Sequence, residues 1–207
     1  MIAKCGEVRL WHWAHKGGQL CDRWWENETQ WHRDWKNQFP VEWQEIVHPA
    51  ENGELHIADV KTDRDWVIEF QHSYLEPGER RSRDAFYRKL IWVVDGKRRK
   101  TDWEQFRDAW ETGLPVGRNN AFRNVFSDRC RLLREWADSN GPIFLDFAVE
   151  VLWWFIARSA DGATYVGLFP RAHFIEAHRA GATESGRQFD AFVNDAPKLI
   201  ASLRLRR

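Results

Sequence analysis

The chain has 207 residues, of which 43% are hydrophobic and 30% charged, an ordinary globular balance for one good-sized domain with or without a small appendage. Its 31 basic and 31 acidic residues cancel, so bulk charge argues for neither nucleic acid nor membrane as a partner. The longest apolar stretch, 144 to 157, is broken by Asp146 and Glu150 and is too short to span a bilayer.

Residues 1 to 24 are polar-aromatic and carry no clear periodicity. A helix is expected from about Glu28, with Asn27 as its cap and Gln30 at the capping-box position. Trp31, Trp35 and Phe39 repeat at i, i+4, i+8 as one apolar stripe, and Pro40 stops the helix. Three strands follow: 43 to 47, 55 to 60, and 66 to 70, the last two joined by a turn at Asp63-Arg64-Asp65. Pro77-Gly78 opens a basic helix to about Leu90, and Ile91 to Val94 is a short apolar run typical of a strand buried on both faces. A helical crossover before that strand predicts a mixed sheet with helices packed on it.

Beyond Asp95 the pattern weakens. Residues 102 to 111 look helical, 112 to 120 look like a linker, and 129 to 138 form another candidate helix. Residues 149 to 156 and 164 to 168 read as a hairpin around Asp161-Gly162, and two helices from Pro170 and from near Glu184 finish the chain. The expected organisation is an N-terminal segment over 1–24, a core over 25–112 and a C-terminal α+β extension over 113–207. Trp153, Trp154 and Phe155 cannot all face one side of a strand, so they are expected in the core rather than as a base-stacking platform.

Chemistry concentrates in the middle strands. Asp59 ends one strand, and Glu69 and Gln71 flank Phe70 in the next. Residues two apart in a strand share a face, so Glu69 and Gln71 point one way and Ile68 and Phe70 the other. Paired in a hairpin, Asp59 and Glu69 could share one divalent ion, with a backbone carbonyl completing part of an oxygen shell suited to Mg²⁺. Gln71 would orient a water or a phosphate oxygen. On the first helix, Glu28, His32 and Lys36 recur at i, i+4, i+8. Glu28 could reach the ion and His32 could act as a base or bind phosphate, or all three could form an ion-paired solvent face. Asp59 and Lys61 offer a competing way to draw the site. Basic clusters lie at Arg80, Arg81, Arg83, Arg88 and Lys89, at 97 to 100, and at Arg204, Arg206 and Arg207.

These stretches resemble the competence protein CoiA-like family, a branch of the PD-(D/E)xK nuclease superfamily. The matching pieces are WHWAHK at 11 to 16, ETQWH at 28 to 32, IADV at 57 to 60 and VIEFQHS at 67 to 73, then Arg83, Tyr87 and Ile91-Trp92-Val93. Together they cover about residues 8 to 95. The resemblance implies a restriction-endonuclease-like core, with Asp59 and Glu69 as metal-binding acids, Gln71 where the superfamily has Lys, and Glu28 as the acid of the first helix, followed by His32. Mg²⁺ or Mn²⁺ is the implied metal. Family members often begin with paired cysteines that look zinc-binding, a module that looks shortened here to Cys5, His12, His15 and Cys21. Those four could form a tetrahedral zinc site or could simply pack or hydrogen-bond.

Three functions follow as expectations. The first is a Mg²⁺-dependent DNA nuclease, in DNA uptake and recombination or in defence against foreign DNA, with Arg80, Arg81, Arg83, Tyr87 and Lys36 touching the backbone. The second is a DNA-binding accessory protein that keeps the fold without turnover. The third is a small zinc-binding interaction module. Three widely spaced cysteines and no visible signal peptide suggest a cytoplasmic protein, with a homodimer or partner protein left open.

Overall fold

The computed structural model describes residues 2–6, 9–14, 28–50, 53–116, 122–158, 164–181 and 183–204. A two-stranded antiparallel ribbon of β1 (Ile2–Gly6) and β2 (Arg9–Ala14) opens the chain. Helix α1 (Gln30–Lys36) starts at Thr29, whose hydroxyl accepts the His32 N–H at 3.3 Å. The expected cap, Asn27, lies outside the described residues. Asn37 already closes the helix, before Pro40 is reached.

Three antiparallel strands follow: β3 (Gln44–Pro49), β4 (Leu55–Lys61) and β5 (Val67–Gln71). The β4–β5 turn closes with Thr62 N–H on the Trp66 carbonyl at 2.8 Å, and Asp65 takes a left-handed conformation (φ 63°) that short polar side chains tolerate. Helix α2 (Pro77–Phe86), with Pro in its first turn and the Glu76 carboxylate accepting Gly78 and Glu79 N–H, crosses to β6 (Leu90–Asp95). β6 runs parallel to β5 and all six of its residues are buried, as its apolar run predicted.

Helix α3 (Asp102–Glu111), short strands β7 (Leu114–Pro115) and β8 (Phe122–Val125), and helix α4 (Arg131–Trp136) come next. The chain then returns as β9 (Ile143–Asp146), β10 (Val151–Arg158) and β11 (Thr164–Pro170), and ends in α5 (Arg171–Arg179) and α6 (Glu184–Arg204). β10 and β11 form the expected hairpin.

The strands of β3 to β11 form one nine-stranded mixed sheet in the order β3-β4-β5-β6-β9-β10-β11-β8-β7. β9 lies parallel to β6, with Asp146 opposite Asp95. The expected boundary at 112 therefore falls inside a continuous sheet, and the C-terminal part is no appendage. β9 is hidden in the sequence because its four residues merge with β10 into one apolar run. Apolar clusters cover both faces. One holds Trp92, Val94, Phe106, Leu132, Trp136, Leu145, Trp153 and Phe155; the other holds Trp35, Phe39, Ile68, Phe70, Val93, Phe144, Trp154 and Phe174. Trp153, Trp154 and Phe155 thus alternate between two cores. No described helix is long and apolar enough to cross a membrane.

Candidate active site at the fork of strands β4 and β5

β4 pairs with β3 from Leu55 to Val60, but with β5 only at Val60–Ile68 and Lys61–Val67. The two strands part at Asp59. Ala58 packs into the first apolar cluster and Val60 into the second, although residues two apart in a regular strand share a face. The chain therefore turns over at Asp59, whose side chain enters the fork. Its Oδ2 accepts the Phe70 N–H at 2.8 Å, replacing a bond that a continued ladder would draw from the β4 backbone.

The same oxygen lies 2.9 Å from His32 Nε2. With the carboxylate as acceptor, Nε2 carries the hydrogen, so the contact fixes both the imidazole tautomer and the end of α1 against the fork. The Asp59 side chain remains 20% exposed. Lys36, one turn on, is buried and bonds Glu28 at 2.5 Å and Glu45 at 2.8 Å. Burial alone would lower the Lys36 pKa, but the Glu28 and Glu45 hydrogen bonds and the charges of Glu45 and Asp59 raise it above the ordinary lysine value. Lys36 is a fixed cation that ties α1 to β3.

Glu69 and Gln71 pair in register with Trp92 and Val94 and lie on the α2 side of the sheet. Arg83 of α2 meets Glu69 at 3.1 Å, each side chain being 5% exposed, and reaches Glu79 at 2.5 Å. The Gln71 amide donates weakly to the Ser73 carbonyl and hydroxyl, at 3.4 and 3.3 Å. The fold thus gathers Glu28, His32, Lys36 and Asp59 around the fork and sets Glu69 against Arg83. The Asp59–Phe70 bond still places the Asp59 carboxylate beside the peptide that joins Glu69 to Phe70. Among the described residues, no group of three or more His, Cys, Asp or Glu side chains is arranged to hold a metal ion. Asp59 and Glu69 are oxygen donors of the kind hard cations take, but the fold sets Glu69 against Arg83 on the α2 side and Asp59 against His32 of α1.

The expected phosphate contacts require correction. Arg80 is buried, bonded to the Glu135 carbonyl and the Asp138 carboxylate, with its guanidinium 5.4 Å from the Trp136 ring. Arg83, Tyr87 and Lys36 are buried too. Each cation answers an acid or a carbonyl inside the fold, and the polar face of α2 turns toward α4. Of the five, Arg81 alone is open, at 58%. Lys97 and Lys100, in the turn after β6, are exposed cations as well.

The carboxyl ends of the parallel strands carry functional groups that the sequence motifs do not single out. β6 ends in Asp95, 2.7 Å from His72 Nδ1. β9 ends in Asp146, which accepts the indole N–H groups of Trp31 and Trp35 at 2.9 and 2.8 Å and pairs with Arg171. Their only signal in the sequence is a buried apolar run closing on aspartate, at the strand end where open α/β sheets place ligands. Of the proposed zinc ligands, Cys5 lies in β1 and His12 in β2, opposite Lys4, while His15 and Cys21 lie outside the described residues.

Comparison with protein-family models, with curated proteins and with solved structures returns no match.

Proposed function

We propose that the protein is a metal-dependent phosphodiesterase acting on DNA, with its reacting centre at the fork. The observation that carries this reading is Asp59, a partly exposed carboxylate at the point where β4 leaves β5, held by His32 and by the Phe70 N–H. The order α1-β3-β4-β5-α2-β6, three antiparallel strands followed by a helical crossover to a parallel fourth, supports a restriction-endonuclease-like core.

In this reading Asp59 and Glu69 would hold Mg²⁺ or Mn²⁺. When bound, such an ion supplies Lewis acidity toward the phosphate and a hydroxide nucleophile near neutral pH. To take part, the Glu69 carboxylate would have to release Arg83, which it meets at 3.1 Å. His32 keeps Asp59 oriented through its Nε2 hydrogen bond. Glu28, anchored to Lys36, adds negative charge at the start of α1. Gln71, as a neutral amide, orients water and moves no proton. Arg81, Lys97 and Lys100 are among the exposed cations available for backbone phosphates.

The buried Glu69–Arg83 pair favours a second reading, a DNA-binding protein that keeps the fold without turnover. Incubation of supercoiled, linear and single-stranded DNA with Mg²⁺ or Mn²⁺ separates the two. The parent should cleave, while Asp59→Ala and Glu69→Ala should bind DNA without cleaving it. Binding without cleavage by the parent supports the second reading; cleavage by the variants at the parent's rate sinks the first.

A further inference from the structure

We propose that the His72–Asp95 pair, with Lys97 beside it, is a binding station for a nucleic-acid backbone phosphate next to the one engaged at the fork. It rests on the phosphodiesterase reading for the identity of the anion and on its own geometry for the rest. Asp95 ends β6 and is buried, and both of its oxygens are engaged: Oδ2 with His72 Nδ1 at 2.7 Å, Oδ1 with the Lys97 N–H at 2.8 Å. Because the carboxylate accepts, Nδ1 donates, and Nε2 is left on the far side of the ring. The His72 side chain is 38% exposed. An imidazole fixed in this way has already lost its ring rotation and its choice of tautomer. Once protonated, it presents Nε2–H to an anion at little further entropic cost.

Position ties the pair to the fork. The Trp31 ring lies 6.2 Å from the His32 ring and 6.2 Å from the His72 ring, with its own N–H held by Asp146. His72 and His32 therefore both border the Trp31 ring, which puts the pair beside the fork. Charge points the same way. The exposed Lys97 and Lys100 add cations on the turn that follows Asp95. Arg98 between them is committed elsewhere, to the Ser73 carbonyl and to Glu135. The other charged groups near His72 are the His32–Asp59 pair across Trp31, and Asp146 with Arg171 behind it.

The test is binding of a fluorescein-labelled DNA duplex in EDTA, read by anisotropy across a salt series at fixed pH. His72→Gln should bind severalfold more weakly and show a log–log salt slope shallower by about 0.9, the contribution of one phosphate contact. Asp95→Asn should fall between the two. His72→Gln with the parent's affinity and salt slope would overturn the proposal, as would a parent that does not bind DNA. EDTA keeps this readout apart from cleavage. If Asp59→Ala cleaves like the parent while His72→Gln loses the phosphate contact, the phosphodiesterase reading fails and the station stands. If Asp59→Ala loses cleavage while His72→Gln binds like the parent, the station fails and the phosphodiesterase reading stands.

Discussion

The indole N–H of Trp35 donates to Asp146 Oδ2 at 2.8 Å, a buried contact spanning 111 residues of sequence. Through it the helix that carries His32 is anchored to β9, a strand from the other half of the chain. Asp146 also accepts from Trp31 and from the Ala148 N–H, and pairs with Arg171. Asp146→Ala would leave two indole donors and a guanidinium without their acceptor. The expected cost is about 3 kcal/mol or more. Urea unfolding measures it; a loss under about 1 kcal/mol would mean that the indoles find water instead.

The Glu69–Arg83 pair predicts strong coupling. Arg83→Met takes the guanidinium away from the buried Glu69 carboxylate and should destabilise by about 3–5 kcal/mol, whereas the double variant Glu69→Leu/Arg83→Met should recover most of that loss. A double-mutant cycle in urea reads the coupling, and additive losses would show that the pair contributes little. Cleavage by any Glu69 variant must accordingly be normalised to folded protein.

Ion binding at the fork should appear as stability. Mg²⁺ or Mn²⁺ should raise the melting temperature of the parent in a concentration-dependent way, by RT ln(1 + [L]/Kd), and should not raise that of Asp59→Asn. Equal shifts in both proteins would place the ion elsewhere.

His178 predicts acid lability. It is fully buried among Phe174, Phe189 and Trp66, and among the described residues neither ring nitrogen has a hydrogen-bond partner. Burial, with a smaller contribution from the Arg64 charge, pushes its pKa down to about 3. The folded value lies below the unfolded value near 6.5, so the unfolded chain binds the proton first. His178 costs nothing above that value, and stability falls as pH drops from about 6.5 toward 3, by up to about 1.4 kcal/mol per pH unit. His178→Leu should flatten this slope. Urea midpoints at pH 5 and 7 check it, and an unchanged slope would assign the acid sensitivity to the carboxylates.

Arg64 shows why some links stay hidden from sequence. It sits in the β4–β5 turn, where a charged residue reads as solvated, yet it bonds Asp190 and the Ala177 and Gly186 carbonyls of the two C-terminal helices. Arg80, Arg83 and Lys36 mislead for the same reason. Such cations look like a surface until the fold supplies Asp138, Glu69 and Glu45 as partners.

What the residue order decided by itself was local: the apolar stripe of α1, the all-buried β6, the turn before Val67, the β10–β11 hairpin and the shared face of Glu69 and Gln71. Those follow from steric preferences and from the periods of helix and strand, which act over a few residues. Tertiary structure alone decided that β9 lies beside β6, that the strands part at Asp59, and that Glu69 meets Arg83 while Asp59 meets His32. Such pairings depend on which distant segments share a sheet and which buried charge is nearest, and no local periodicity encodes either.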